Sequence, residues 1–131
     1  MCGIIGIQNN SEAATLAYMG LYAQQHRGQE GAGVVSSDGS VLHRHMGQGL
    51  VLDVFSDSAV FDSLIGDSAI GHVRYSTTVN SDPKNVWPLT FNMGDYSLSI
   101  AHNGNLVNLD EIRKELQKNG CLLYTSDAAD E

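Results

Sequence analysis

The sequence is poor in cysteine and in basic residues, and each shortage excludes a class of protein. Only two of the 131 residues are cysteines, Cys2 and Cys121, which excludes a disulfide framework of the secreted type and favours a reducing cytoplasm. Seven Lys and Arg residues stand against fifteen Asp and Glu residues, so the formal net charge is -8. This charge repels phosphate backbones and anionic lipids, and we expect neither a nucleic acid nor a membrane as partner.

Long hydrophobic runs are also lacking. No stretch approaches the ~20 apolar residues that span a bilayer. The start MCGIIGIQNN has neither the basic region nor the long apolar core of a signal peptide. Because 42% of the residues are hydrophobic, the chain can still bury one core, and we expect a single cytoplasmic domain.

The first third of the chain predicts a strand, a helix and a hairpin. CGIIGIQ is apolar at both sets of alternating positions, which is typical of a strand covered on both sides. Residues 11–28 have helical periodicity, with Asn10 or Ser11 as N-cap and Gly28 as terminator. The DG pair at 38–39, between two β-rich runs, predicts a hairpin turn.

The remaining segments continue this mixture of helices and antiparallel strands. They predict two short helices closed by Gly66, a strand over DSAIGHVRY, and two strands that turn at residues 94–95. A last helix is expected to be capped by Asn108 together with Glu111 and to stop at Gly120. This order disfavours a parallel doubly wound sheet and favours an α+β layered fold.

Cys2 is the first candidate for chemistry. A small residue after Met1 normally permits removal of that methionine, which leaves a free α-amino group on the residue that carries the thiol. An α-amino group has a reference pKa of about 7.7–8.0, so near neutrality a useful fraction can accept the thiol proton. Cys2 would then combine nucleophile and base, although a structural cysteine at the head of a strand fits the same position.

Three further motifs allow both a functional and a structural interpretation. In HNGNL, Asn103 and Gly104 could supply the N–H donors of an oxyanion hole, or form an ordinary Asn-Gly turn. Arg74 in GHVRYST could clamp a carboxylate, or lie on the surface. HRGQEGAG follows a helix and is better explained as a backbone-shaping loop than as a phosphate cradle. The pair His43-x-His45 is expected to be a solvated strand face, because no acidic or cysteine ligand has a suitable spacing.

Taken together, MCGIIGI, QQHRGQEGAG, GHVRYST and AHNGNL, in this order, resemble the class II glutamine amidotransferases. The resemblance covers residues 1–120. It implies the four-layer αββα sandwich of the N-terminal-nucleophile hydrolases, here incomplete, with mostly antiparallel sheets. The form QHRGQ followed by AG is similar to the branch that joins this glutaminase domain to a phosphoribosyltransferase domain and supplies ammonia for 5-phosphoribosylamine formation in purine synthesis.

The resemblance also implies a role for each matching residue. Cys2 would attack the side-chain amide of L-glutamine and form a thioester, and Asn103 with Gly104 would bind the oxyanion. Among the substrate-binding residues that the resemblance implies, Arg74 would hold the carboxylate of glutamine and Asp127 would bind its α-amino group. Tyr75 and Thr77 would belong to the loop that closes over glutamine, and Gly28 to the turn beside the nucleophile. Trp87, where relatives usually have glutamine, and the loop TVNSDPKN at 78–85 depart from the family pattern and bear on loop closure.

The end of the chain differs in composition from the rest. Residues 121–131, a strand-like start followed by a small acidic tail, resemble translated adapter sequence, in which case the match at Asp127 is accidental. The phosphoribosyltransferase domain, with the magnesium site that the family implies for it, is expected to be absent. No cofactor is expected in this fragment, and the full-length protein is expected to be a homo-oligomer. The alternatives are another class II amidotransferase or a non-catalytic, truncated glutamine-binding module.

Overall fold

The computed structural model describes residues 1–75, 85–104 and 106–121. The predicted elements are confirmed, and their bounds are β1 (Gly3–Ile7), α1 (Ala13–Ala23), a 3-10 turn (Gln25–Arg27), β2 (Gly31–Ser37), β3 (Leu42–Gln48), α2 (Val51–Val54), α3 (Val60–Ser63), β4 (Ser68–Arg74), β5 (Leu89–Met93), β6 (Tyr96–Ile100) and α4 (Leu109–Lys118). None of the helices in these ranges is long and apolar enough to cross a membrane.

Two antiparallel sheets form the framework. The first has the strand order β1-β4-β2-β3, and the second pairs β5 with β6. In the first sheet, β4 lies between β1 and β2, with Gly3 opposite Val73 and Ala32 opposite the same residue on the other side. The predicted α+β class with antiparallel sheets is therefore confirmed.

The core lies between the first sheet and helix α1. Gly71 on β4 makes this packing possible, because a Cβ there would approach Leu21 of α1 to 2.9 Å and Ile5 of β1 to 3.0 Å. Burial of apolar side chains supplies the main favourable free energy of such a layer. The buried apolar cluster comprises Ala13, Ala14, Ala17, Leu21, Ala32, Val34, Val51, Phe55, Leu64, Ala69 and Val73.

The opposite face of the same sheet carries side chains that could take part in binding or catalysis. Successive side chains of a strand point to opposite faces, so His72 and Arg74 of β4 lie on the face away from α1. Gly33 of β2, opposite His72 in the register, lies under the segment that begins the second sheet. A Cβ on Gly33 would lie 2.4 Å from the carbonyl oxygen of Trp87, so glycine permits the close approach of the two layers.

Three local predictions need correction. Within the described residues, strand β1 is an edge strand, and it is packed on one face only, since Ile4 is 39% exposed. Helix α1 ends at Ala23 and a 3-10 turn precedes Gly28, which is extended and does not terminate the helix in the left-handed conformation. Helix α4 begins after Asn108, as expected, but the Asn108 side chain makes no capping hydrogen bond.

The predicted start of α1 also needs correction, whereas the predicted end of α4 is confirmed. The N-cap of α1 is Glu12 rather than Asn10 or Ser11, and the Asn10 side chain accepts a hydrogen bond of 2.8 Å from the backbone N–H of Glu12. Gly120 has a φ of 76° after α4, and the N–H of Cys121 returns to the carbonyl of Leu116 at 3.0 Å. A left-handed glycine with such a returning hydrogen bond is a common way to end a helix.

Candidate functional site

The thiol of Cys2 lies at the end of β1, beside the end of β4. Its Sγ is 3.4 Å from the backbone nitrogen of Tyr75, which donates to sulfur, and 3.5 Å from the carbonyl oxygen of the same residue. Cys2 is half-buried, whereas Met1 is 72% exposed. The partial exposure of Cys2 leaves room for a reacting group beside its sulfur.

Asn103, from the last of the four motifs, reaches the first. Its side-chain nitrogen donates a hydrogen bond of 3.0 Å to the backbone carbonyl of Cys2, although 101 residues separate the two. Gly104 follows with a φ of 140°, a conformation that L side chains rarely adopt. The structure therefore brings the predicted oxyanion donor Asn103 to Cys2, with its amide on the backbone carbonyl of that residue, and Gly104 is the next residue in the chain.

Arg27 is a site residue that the sequence reasoning missed. Its Nε donates a hydrogen bond of 3.1 Å to the carbonyl of Cys2, and its terminal nitrogen lies 3.0 Å from the sulfur of Met1. The carbonyl of Cys2 thus accepts from two side chains, those of Arg27 and Asn103. The HRG motif contained the signal, but nothing local indicated that the arginine points to the chain start.

Gly28 shapes the loop next to the nucleophile. A Cβ at this position would lie 2.5 Å from the carbonyl oxygen of Arg74, a distance that real Cβ atoms do not show. Glu30, two residues later, donates its N–H to the same carbonyl at 3.2 Å. The turn after α1 can therefore press against the end of β4 only because residue 28 is glycine.

Arg74 is buried, so its interpretation as a surface arginine is wrong. It is 5% exposed, and one guanidinium nitrogen donates to the carbonyl of Asn85 at 2.7 Å. The carboxylate of Glu30 lies 4.0 Å from its Nε. These two contacts fix the position of the guanidinium beside the start of the second sheet.

His72 is a second residue that the sequence reasoning missed. It is 1% exposed, and its Nε2 lies 3.1 Å from the carbonyl oxygen of His102. Burial lowers the pKa of His72 from 6.5 to about 4, and the charge of Arg74 contributes in the same direction. The period of two along β4 could have found it, because His72 shares a face with Arg74.

The other predicted substrate-binding residues are only partly placed. Tyr75 is described, and its side chain is 51% exposed while its backbone contacts Cys2. Thr77, Asp127 and most of the 78–85 loop lie outside the described residues. Trp87 is half-buried, and the centroid of its ring lies 6.1 Å from that of His72 and 6.0 Å from that of His102.

The histidine pair on β3 is not a simple solvated face. His43 lies 3.1 Å from the carboxylate of Asp38, and His45 lies 2.8 Å from the carbonyl of Val54 and packs against the ring of Phe55. In the parts of the chain that the structure describes, no group of three or more His, Cys, Asp or Glu side chains could hold a metal ion.

Comparison with known proteins gives close matches over almost the whole chain. The chain is 52% identical over 126 residues to "Amidophosphoribosyltransferase 2, chloroplastic" of Arabidopsis thaliana. It is 45% identical over 126 residues to the amidophosphoribosyltransferase of Bacillus subtilis. Each alignment covers 95% of this chain, but only 22% and 26% of the relatives, so the chain spans about a quarter of their length. No protein-family model matches the chain.

A solved structure supports the same relationship. The fold matches the allosteric regulatory enzyme of purine biosynthesis with a TM-score of 0.87 and 43% identity, over 95% of this chain and 27% of that one. At this identity and overlap the two share their fold, and the predicted fold class of the N-terminal-nucleophile type is confirmed.

Proposed function

We propose that this chain catalyses the glutaminase reaction of its homologues, the amidophosphoribosyltransferases. In this proposal L-glutamine is hydrolysed to glutamate and ammonia. The ammonia then serves the formation of 5-phosphoribosylamine in purine biosynthesis. The family resemblance that the sequence motifs predicted is confirmed by these homologues, whereas the reaction of this chain is the proposal.

The observation that carries the proposal is the hydrogen bond between Asn103 and Cys2. It joins the first and the last of the four motifs across 101 residues, at 3.0 Å. The turn at Gly28 and the end of β4 close around the same point, since the backbone of Tyr75 contacts the Cys2 sulfur. A thiol, a side-chain amide and the backbone at the end of β4 therefore lie close together at one edge of the sheet, which supports a proposal of acyl transfer from an amide.

The chemistry follows from these groups once Met1 is removed. The freed α-amino group of Cys2 accepts the thiol proton, and Sγ attacks the side-chain carbonyl carbon of glutamine. The carbonyl oxygen becomes negative, and the N–H groups of Asn103 and Gly104 stabilise it. The C–N bond then breaks, and the nitrogen takes the proton from the α-amino group and leaves as ammonia. Water hydrolyses the remaining thioester, which releases glutamate and restores the thiol.

The carboxylate of the substrate needs a cation at a fixed place. Arg74 is held by the Asn85 carbonyl on one side and approached by the Glu30 carboxylate on the other. These contacts orient the guanidinium before the substrate arrives, which lowers the entropy cost of binding. We assign Arg74 to the α-carboxylate of glutamine, with Tyr75 and Thr77 in the segment that closes over it, and Asp127 to the α-amino group.

The wider context of the activity belongs to the same proposal. The acceptor of the ammonia would be a phosphoribosyltransferase domain, which the much longer homologues have room to contain. Self-association of the full-length protein and a cytoplasmic location are proposed from the family resemblance and the sequence composition. No step in the glutaminase chemistry proposed here uses a metal.

Labelling with an electrophilic glutamine analogue tests the proposal directly. The chain is incubated with the analogue and its intact mass is measured, and peptide mapping locates the adduct. We expect loss of Met1 and one adduct on Cys2, prevented by excess L-glutamine. Retained Met1 without an adduct would instead support a non-catalytic glutamine-binding module.

The second cysteine provides a matched control. Cys121 is exposed and lies just after α4, outside the four motifs. Cys2→Ser should abolish both labelling and glutamine hydrolysis, whereas Cys121→Ser should preserve both. Equal labelling of the two variants would contradict the assignment of Cys2 as nucleophile.

A further inference from the structure

We propose that His72 is a positioning residue for glutamine hydrolysis. Its imidazole holds the backbone of His102 and so places the next two residues, Asn103 and Gly104, as oxyanion donors. This inference rests on the proposed function, because it concerns the same reaction.

The first argument is the direction of the hydrogen bond. The Nε2 of His72 lies 3.1 Å from the carbonyl oxygen of His102, and a carbonyl oxygen can only accept. Nε2 must therefore carry the proton, and in the neutral ring Nδ1 is then unprotonated. The hydrogen bond selects one tautomer and one ring orientation.

The second argument is the position of the acceptor in the chain. The carbonyl of His102 belongs to the same planar peptide unit as the N–H of Asn103, so holding the oxygen also orients that peptide. Residues 102–104 are exposed and lie outside any helix or strand. Two hydrogen bonds join them to strands β1 and β4 at their ends, one from His72 to His102 and one from Asn103 to Cys2.

The third argument is the cost of keeping a polar group at this place. His72 is 1% exposed, and its Nδ1 is buried with no hydrogen-bond partner among the described residues. Burying an unpaired polar atom destabilises a fold, so a space-filling role would be better served by an apolar side chain. A donor to His102 is what the histidine supplies and an apolar residue would not.

The surroundings of His72 keep its imidazole in the neutral form. Burial is the main cause of the lowered pKa of His72, and the cation of Arg74 on the same strand acts in the same direction. On the loop, the carbonyl of His102 raises this pKa and the side-chain charge of His102 lowers it, and burial outweighs the carbonyl. The neutral form with a protonated Nε2 is therefore the working form around neutral pH.

Two substitutions separate the hydrogen bond from the volume of the side chain. His72→Leu fills the site without a donor, whereas His72→Gln carries a side-chain amide that can reach the His102 carbonyl. His43→Leu, on β3 and paired with Asp38, is the matched histidine control. For each chain we would measure kcat and KM for glutamine, together with inhibition by a γ-aldehyde analogue, whose thiohemiacetal oxygen occupies the oxyanion position.

We expect His72→Leu to lower kcat on the order of 10- to 100-fold and to weaken aldehyde inhibition by a similar factor, because oxyanion donors are displaced. KM for glutamine should change by less than about threefold, since the carboxylate contact is untouched. His72→Gln should recover most of the loss, and His43→Leu should resemble the parent. Equal kcat in His72→Leu and the parent, or equal losses in His72→Leu and His72→Gln, would overturn the inference.

A measurement on the parent chain covers the case in which His72→Leu does not fold. Nitrogen-15 NMR of the imidazole should show a protonated Nε2 and a bare Nδ1 at neutral pH, and the opposite tautomer would overturn the inference. Failure of the proposed function has a different signature, because the parent chain would then neither hydrolyse glutamine nor be labelled at Cys2. An active parent with an equally active His72→Leu contradicts the inference alone.

Discussion

The side-chain amide of Asn103 donates a hydrogen bond of 3.0 Å to the backbone carbonyl of Cys2, at the opposite end of the described chain. Arg27 donates to the same carbonyl at 3.1 Å. A carbonyl oxygen has two lone pairs, so both donors can be accommodated. The backbone of Cys2 is thereby fixed by two side chains, and its thiol contacts the backbone of Tyr75.

Removal of the Asn103 amide should damage the chemical step. Asn103→Ala loses a proposed oxyanion donor and one of the two contacts that fix Cys2, so we expect kcat to fall by about 100-fold, equivalent to roughly 3 kcal/mol. Steady-state glutamine hydrolysis measures this effect. Asn108→Ala is the control, because that side chain makes no capping hydrogen bond at α4. An unchanged kcat in Asn103→Ala would remove it from the oxyanion hole.

Replacement of the buried arginine should affect substrate binding. Arg74→Lys keeps the charge but loses the planar fork that can bind a carboxylate with two parallel hydrogen bonds. We expect KM for glutamine to rise on the order of tenfold or more, with a smaller change in kcat. Arg44→Lys, at an exposed position on β3, should leave KM unchanged. Equal KM values in Arg74→Lys and the parent would contradict the carboxylate assignment.

Substitution by alanine should change stability differently at Gly28, in the turn after α1, and at Gly6, in β1. Gly28→Ala would place a Cβ 2.5 Å from the carbonyl oxygen of Arg74, so backbone must move, and we expect a loss of about 1–3 kcal/mol in the free energy of unfolding. At Gly6 a Cβ would meet nothing within 4 Å. Gly6→Ala should therefore be neutral or slightly stabilising, because it restricts the unfolded chain. Urea unfolding of both variants provides the comparison.

The buried imidazole should make stability depend on pH. Burial lowers the pKa of His72 to about 4 in the folded chain, while the ordinary value is 6.5. Between these values the unfolded chain binds more protons at this residue, so the free energy of unfolding falls as the pH decreases from about 6.5 to about 4, by up to about 3 kcal/mol. The charge of Arg74 adds to the lowering of the pKa, whereas the hydrogen bond to the backbone carbonyl of His102 acts against it.

The comparison that isolates this contribution uses His72→Gln, which does not titrate. Urea unfolding at pH 7 and at pH 4.5 should show a larger loss of stability in the parent than in His72→Gln. The other titrating groups are common to both chains and largely cancel in the difference. Parallel pH dependence of the two chains would show that His72 is not held neutral by the fold.

The local elements were predictable because the interactions that define them lie within a few residues of each other. The hairpin between β2 and β3 is an example, since the Asp38 carboxylate accepts from the N–H groups of Ser40 and Val41, and Gly39 has a φ of 93°. The end of α4 at Gly120 has the same character. The four motifs were recognisable for a different reason, since their residue types at these positions resemble a known family.

The relationships between motifs depend on tertiary structure. The contact of Arg27 with Cys2 and that of His72 with His102 each join residues 25 or more positions apart. The burial of Arg74 follows from the layer that covers β4. No local pattern encodes such a pairing, because it arises only when the two sheets and the turn after α1 pack against one another. Residue identity thus specified which functional groups were available, and packing specified which of their atoms face each other.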